Sequence, residues 1–268
     1  MIAFLFWFAV GVISAAFGSL LGLGGGVIIV PAIIFLSPQI MGEAIPAHVA
    51  VGTSLAVLII TALSSTLSFV KQKKVDFRSG WIFFAASGPG AIVGAALTNQ
   101  FKPHIFQLTF GIFILMMALL LILRDHIKPL NIKWTYTEQY VDVQGNTVTY
   151  GYTIPYALAV GFAVGIVSGL FGVGGGSLFV PAMVLLFRYP PHIATATSMF
   201  VIFFSAMLGS VAHIVQGNVD WSIFLFLAPG AWIGGKIGAM LAGKLSGAAL
   251  LWLFRITLVL LAVRMIVS

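Results

Sequence analysis

No charged side chain precedes Glu43, and charge stays scarce afterwards: Lys and Arg together number 13, and Asp and Glu 6, in 268 residues. Hydrophobic residues make up 60% of the chain and charged residues 7%, where a soluble domain carries roughly 25% charged residues. A core of this size cannot hide such long apolar tracts, so lipid is the expected solvent. A soluble enzyme, a disordered tail and a secreted disulfide scaffold are excluded. With no cysteine, there is no disulfide, thiolate zinc site or redox pair, and no cofactor is expected. A pI near 9.9 invites a nucleic-acid partner. The basic residues are too sparse for a phosphate-tracking surface, so positive-inside loops explain them and no nucleic acid is expected. Met1–Gly18 has the apolar look of a signal peptide without a leading Lys or Arg. Because the motif that ends it recurs in mid-chain, it reads as a retained membrane segment.

The chain is an internal duplication. Gly18-Ser19-Leu20-Leu21-Gly22-Leu23-Gly24-Gly25-Gly26, followed by Val30-Pro31-Ala32, matches Ser168-Gly169-Leu170-Phe171-Gly172-Val173-Gly174-Gly175-Gly176, followed by Val180-Pro181-Ala182. The offset is 150 here and becomes 144 further on. In that register His48 matches His192, Thr53-Ser54 matches Thr197-Ser198, Val75-Asp76-Phe77 matches Val219-Asp220-Trp221, and Gly90 and Gly94 match Gly234 and Gly238. A constant register across so many markers is the signature of a repeat.

Apolar length gives the map, since a span needs about 20 residues. Helices are expected near Ile2–Leu21, His48–Val70, Gly80–Gln100 and Ile105–Leu123, with a shorter piece at Val27–Leu36. The second half repeats this near Pro155–Phe171, Ser177–Phe187, Ile193–Val215, Ser222–Ala242 and Ala248–Val267. Residues 1–123 form the first repeat, 124–154 a polar linker and 155–268 the second repeat. Within the linker, Tyr140–Tyr152 alternates around Gln144-Gly145-Asn146, which fits a β-hairpin or a partly ordered connection. If each short piece folds back on the preceding helix, the two halves are inverted; if it continues across, they are parallel. Charge favours the first: Lys71, Lys73, Lys74, Arg78, Arg124, Lys128, Lys133, Arg188 and Lys244 then share one side, nine against two, whereas the parallel arrangement gives eight against three. The expected fold is therefore an all-α polytopic membrane protein of two homologous, inverted halves, each a Gly-broken helix hairpin followed by three spanning helices. Broken helices in inverted repeats are a transporter architecture.

The triplets Gly24–Gly26 and Gly174–Gly176 are the leading site candidates. Backbone freed from a helix inside a membrane must find partners in protein or in a water-filled cavity. Bare glycine amides at the N-termini of the following helices, with Ser177, suit an anion. Pro31 and Pro181 are expected inside the first turns of those helices. Thr53, Ser54, Thr195, Thr197 and Ser198 could donate to a carboxylate or sulfonate, or equally to their own helix carbonyls. Lys236 and Arg255 lie in predicted spans, where charge is costly. They could line an anion vestibule or snorkel to the headgroups. The GxxxG pairs Gly90/Gly94 and Gly234/Gly238 read as close helix packing. No Asp or Glu falls inside a predicted span, so any proton coupling must use His48, His192 or His213.

The doubled Gly-x-Gly-Gly-Gly-x-x-x-Val-Pro at Gly22–Pro31 and Gly172–Pro181 resembles the sulfite exporter TauE/SafE family of membrane permeases. The runs Ala50-Val51-Gly52-Thr53-Ser54 and Ala194-Thr195-Ala196-Thr197-Ser198 are also similar, as is Val-Asp followed by an aromatic. Outside the insert 124–153 the resemblance covers nearly the whole chain. It implies transport of sulfite, organosulfonates or other carboxylates across a prokaryotic plasma membrane. An exporter of small anions held between the two glycine breaks is the favoured expectation. A carboxylate permease and a structural or assembly subunit are the alternatives. A membrane enzyme using Ser168 and His213 is disfavoured, because Ile166-Val167-Ser168-Gly169 lacks the leading glycine of a nucleophile elbow and nothing orients the histidine. Oligomeric state is open.

Overall fold

A computed structural model describes residues 2–123, 134–141, 147–242 and 248–267. The first half comprises α1 (Ile2–Leu21), α2 (Gly26–Ile40), α3 (Ala47–Lys71), α4 (Phe77–Thr98) and α5 (Pro103–Leu123). A hairpin of β1 (Tyr136–Val141) and β2 (Thr147–Tyr152) follows. The second half comprises α6 (Ile154–Phe171), α7 (Gly176–Phe187), α8 (Pro191–Val215), α9 (Trp221–Leu241) and α10 (Ala248–Val267). Among the described residues, seven helices (α1, α3, α4, α5, α6, α8 and α9) are long and apolar enough to cross a membrane. The chain is thus a polytopic, almost wholly helical membrane protein. The expected turn at Gln144-Gly145-Asn146 lies outside the described residues, as do Arg124, Lys128, Lys133 and Lys244.

Element boundaries follow local chemistry. The Asp76 carboxylate accepts from the Ser79 amide at 3.2 Å, and that of Asp220 from the Ile223 amide at 3.0 Å. These N-caps start α4 at Phe77, three residues ahead of the expected Gly80, and α9 at Trp221, one ahead of the expected Ser222. The helix after the first triplet extends beyond Val27–Leu36 to Ile40, through Pro38. Starting at Gly26 and Gly176, α2 and α7 place Pro31 and Pro181 at their sixth residues. The prolines therefore sit in the second turn rather than the first, where each lacks the N–H that would reach the carbonyl of Val27 or Ser177.

Packing exchanges partners between the halves. α1 lies on α9 and α6 on α4; α3 packs on α9 and α8 on α4; α3 meets α8, and α5 meets α10. Glycines set the close approaches. A Cβ on Gly234 or Gly238 would stand 2.2 Å from the Val12 or Ala16 carbonyl, and one on Gly94 would stand 2.1 Å from that of Ile166. The GxxxG positions pack backbone on backbone, as their spacing suggests. These contacts also give direction. Gly230, Gly234 and Gly238 meet Phe8, Val12 and Ala16 in order, so α9 and α1 run together; Gly161, Gly165 and Gly169 meet Phe83, Ser87 and Ala91, so α6 and α4 run together. Gly52 meets Asn218 and Gly209 meets Leu55, so α3 and α8 run oppositely.

The hairpin is antiparallel, with Tyr136 opposite Tyr152 and Val141 opposite Thr147. Its Tyr150 ring packs 4.4 Å from that of Tyr189, in the connection between α7 and α8, and the Tyr189 hydroxyl donates to Asp76 Oδ2 at 3.3 Å. Burial and the Asp76 carboxylate both push the Tyr150 and Tyr189 hydroxyls well above the usual phenol range. Arg78 and Glu138 add an exposed ion pair at 3.5 Å. The insert therefore docks at the end of the molecule that carries Arg78 and Arg188.

Candidate functional site

The two glycine breaks form short elbows, and these meet. A Cβ on Gly26 would stand 2.1 Å from the Gly172 carbonyl oxygen, and one on Gly176 would stand 2.0 Å from that of Gly22. Positive φ at Gly22, Gly24 and Gly25 (74°, 88° and 98°) and at Gly172, Gly174 and Gly175 (70°, 78° and 70°) turns the chain where other residues would be strained. Every residue from Gly22 to Val27 and from Gly172 to Ser177 is buried. Leu58 and Ile202, near the middles of α3 and α8, lie against both Gly24 and Gly174.

Serine hydroxyls clamp the elbows across the halves. Ser54 Oγ donates to the Gly172 carbonyl at 2.7 Å, and Ser198 Oγ to that of Gly22 at 2.9 Å. Thr53 and Thr197 accept from the backbone amides of Asp220 and Asp76 at 2.9 and 3.0 Å, which fixes the starts of α9 and α4. All four positions thus bond backbone belonging to the opposite repeat. Their own helix carbonyls, the alternative from the sequence, engage only Ser198, which also reaches the Thr195 carbonyl at 2.8 Å.

The elbow amides are the unusual groups. In the first elbow Leu23 and Gly24 donate to the Gly18 carbonyl at 2.7 and 3.1 Å, and Ile28 and Ile29 to that of Gly25 at 3.0 and 3.1 Å. Among the described residues nothing accepts from the amides of Gly25, Gly26 or Val27. In the second elbow Gly172 donates to the Ser168 carbonyl at 2.8 Å, and Leu178 and Phe179 to that of Gly175. Nothing described accepts from Gly174, Gly175, Gly176 or Ser177. The Ser168 and Ser177 hydroxyls, both 1% exposed, are also without a hydrogen-bond partner among the described residues. A Cβ on Gly175 would lie 3.4 Å from that of Ser168. Buried helix N-termini normally find acceptors for such donors. Two buried elbows whose N–H groups have no described acceptor, at positive helix ends, are suited to negative charge.

The other expected residues lie apart from the elbows. Lys236 is exposed on α9, in a groove of about 420 Å³ shared with Ser64, Ser68, Lys71, Gln72 and Trp232. Arg255 is buried on α10, its guanidinium 5.3 Å from the Trp252 ring centroid. Ser168 and His213 do not form a nucleophile–base pair, because the imidazole Nε2 lies 3.1 Å from the Gly169 carbonyl instead. Sequence reasoning missed Leu58 and Ile202 as the residues packed over the elbows, although they align at the offset of 144 and so carried a signal. It also missed the orphan hydroxyl of Ser168, which has no partner in the repeat.

A family model described as "Sulfite exporter TauE/SafE" matches residues 7–265. The chain is 45% identical over 267 residues to "Probable membrane transporter protein YunE" of Bacillus subtilis, covering 98% of this chain and 97% of that one. It is 27% identical over 238 residues to a "Probable membrane transporter protein" of Xylella fastidiosa, covering 89% and 84% of the two chains. It is also 27% identical over 250 residues to "Probable membrane transporter protein MJ0441" of Methanocaldococcus jannaschii, covering 88% and 85%. No solved structure matches.

Proposed function

This chain belongs to the sulfite exporter TauE/SafE family, and from that premise we propose that it exports small anions, sulfite or organosulfonates, by way of the two glycine elbows. It is a multi-pass transporter of a prokaryotic plasma membrane. The observation that carries the anion reading is the set of buried amides at Gly25–Val27 and Gly174–Ser177 with no described acceptor, in elbows that touch each other. The Ser168 and Ser177 hydroxyls make the second elbow the richer donor site. With Leu58 and Ile202 over the elbows, an anion reaches the amides only when the elbows part.

Helix directions support inverted repeats. α1 and α9 run together, and α9 follows α3 from Thr53, beside Asp220, to Gln72, beside Ala239. α4 likewise runs with both α6 and α8. Since α3 opposes α8, the helices α1, α3 and α4 run against their counterparts α6, α8 and α9. Lys71, Lys73, Lys74, Arg78 and Arg188 then share an end, which the positive-inside rule assigns to the cytosol. An anion leaving a negative interior gains about 2.3 kcal/mol per charge per 100 mV, so export can run downhill.

Purified protein should be stabilised thermally by sulfite or by a sulfonate, and proteoliposomes should pass that anion. Gly25→Val and Gly175→Val should abolish both effects while insertion persists. Stabilisation by acetate or another simple carboxylate alone would reassign the cargo. Normal transport by both valine variants would refute the elbow site.

A further inference from the structure

His213 is fully buried near the end of α8, and its ring is held at both nitrogens. Nε2 lies 3.1 Å from the Gly169 carbonyl, which can only accept, so Nε2 carries a proton. Nδ1 is then the acceptor, 3.4 Å from Asn218 Nδ2. The same amide nitrogen lies 2.8 Å from Asn99 Oδ1 and 3.2 Å from Gln216 Oε1, so its two hydrogens are shared among three acceptors, and Asn99 Nδ2 donates to Gln216 Oε1 at 2.7 Å. This chain of amides runs from a buried imidazole to an exposed pair beyond the ends of α4 and α8. Inward, Gly169 lies in the last turn of α6, just ahead of the second elbow, and Thr98 Oγ1 reaches its carbonyl at 3.4 Å. Position 69, the repeat counterpart of His213, is Phe69, so only one half has the ring.

We propose that His213 is a proton-binding site that couples transport to proton movement. The inference rests on the transporter reading given above. Taking up a proton at Nδ1 turns the neutral ring into an imidazolium, and two donors then face each other. Relief requires Asn218 to turn its oxygen towards the ring, which withdraws its N–H groups from Asn99 and Gln216. The added positive charge lies beside the α6 turn that leads into the elbow, where an anion would bind. Releasing the proton restores the first arrangement. Among the described groups, His48 at the start of α3 is the titratable neighbour the ring feels. Asp220 follows Asn218 but directs Oδ1 to the Ile223 amide. α6 and α4 offer the uncharged Gly169 and Asn99.

The test uses the full chain in proteoliposomes loaded with a pH-sensitive dye. The probe is methanesulfonate, which stays charged throughout. Counterflow of the wild type should change about tenfold between about pH 4.5 and 7.5, a range that spans the ordinary histidine value and extends well below it, and protons should move with the anion. In His213→Gln the ratio of the two rates should fall below about twofold, whatever the absolute rate. A wild type whose counterflow ignores pH and moves no protons overturns the proposal and leaves the transporter reading standing. If neither methanesulfonate, sulfite nor acetate moves, the transporter reading fails, and histidine-labelled protein still decides the site by magnetic resonance. A His213 ring that takes up a proton over this range upholds the proton site; one that stays neutral overturns it.

Discussion

Replacing Gly26 by alanine adds one methyl group where the halves touch. The new Cβ would stand 2.1 Å from the Gly172 carbonyl oxygen, 2.8 Å from Val173 Cα and 3.0 Å from Ser54 Oγ. Carbon–oxygen contacts settle at about 3.3 Å or more, so the elbows must separate by roughly 1 Å. Overpacking by one methyl costs about 1–3 kcal/mol. The same movement strains the Ser54–Gly172 hydrogen bond of 2.7 Å, worth about 1 kcal/mol. A loss of roughly 2–4 kcal/mol is expected, read as the shift in reversible unfolding in detergent micelles. Gly42→Ala is the control. Gly42 has φ +78° with nothing within 4 Å of its Cβ position, so it should lose only about 1 kcal/mol from backbone strain. Gly176→Ala should resemble Gly26→Ala, because its Cβ would meet the Gly22 carbonyl. The double variant should lose less than the sum, since elbows parted once already accommodate the second methyl. If Gly26→Ala unfolds like Gly42→Ala, the elbows are not in contact and the geometry is wrong.

Ser54→Ala and Ser198→Ala should each cost about 1 kcal/mol, and calorimetry of the four-variant cycle should show them coupled through the elbows. Thr53→Ala should expose the Asp220 amide and Thr197→Ala that of Asp76, each loosening one helix start by about 1 kcal/mol and speeding hydrogen exchange there. The raised tyrosine hydroxyls make an alkaline prediction. A neutral phenol favoured by folding contributes stability below its unfolded pKa of about 10, and that contribution is lost as pH rises through the folded value. Tyr152 is raised by burial as well, so ultraviolet titration should show a late group of phenolates that loses one member in Tyr150→Phe and one in Tyr189→Phe. Glu138→Gln should change stability by under about 1 kcal/mol, because its pair with Arg78 is exposed.

Much of the helical scaffold was legible, because lipid imposes length and apolarity directly on the residue order. The internal repeat located both elbows, and the GxxxG spacings marked close helix packing without saying that α9 would meet α1 and α4 would meet α6. The start of α4 at Phe77 was missed by three residues and that of α9 at Trp221 by one, because aspartate caps act outside the apolar run. The site was less legible. Hydroxyl-bearing side chains at Thr53, Ser54, Thr197 and Ser198 look alike whether they face a ligand or a distant carbonyl, and only the fold shows that Ser54 reaches residue 172 and Ser198 reaches residue 22. The orphan hydroxyl of Ser168 and the amide chain from His213 to Asn99 are likewise tertiary facts. No periodicity or spacing brings residues 99 and 218 together.

The serine clamps have a further consequence. Each repeat carries a hydroxyl for a carbonyl it does not own, and a carbonyl served by a hydroxyl it does not own. A lone half would leave both groups stranded in hydrocarbon, where water cannot rescue them. Neither stretch is therefore self-sufficient: residues 2–123 and 154–267 each complete a bond the other cannot close alone, and joining them in one polypeptide keeps the two partners at hand.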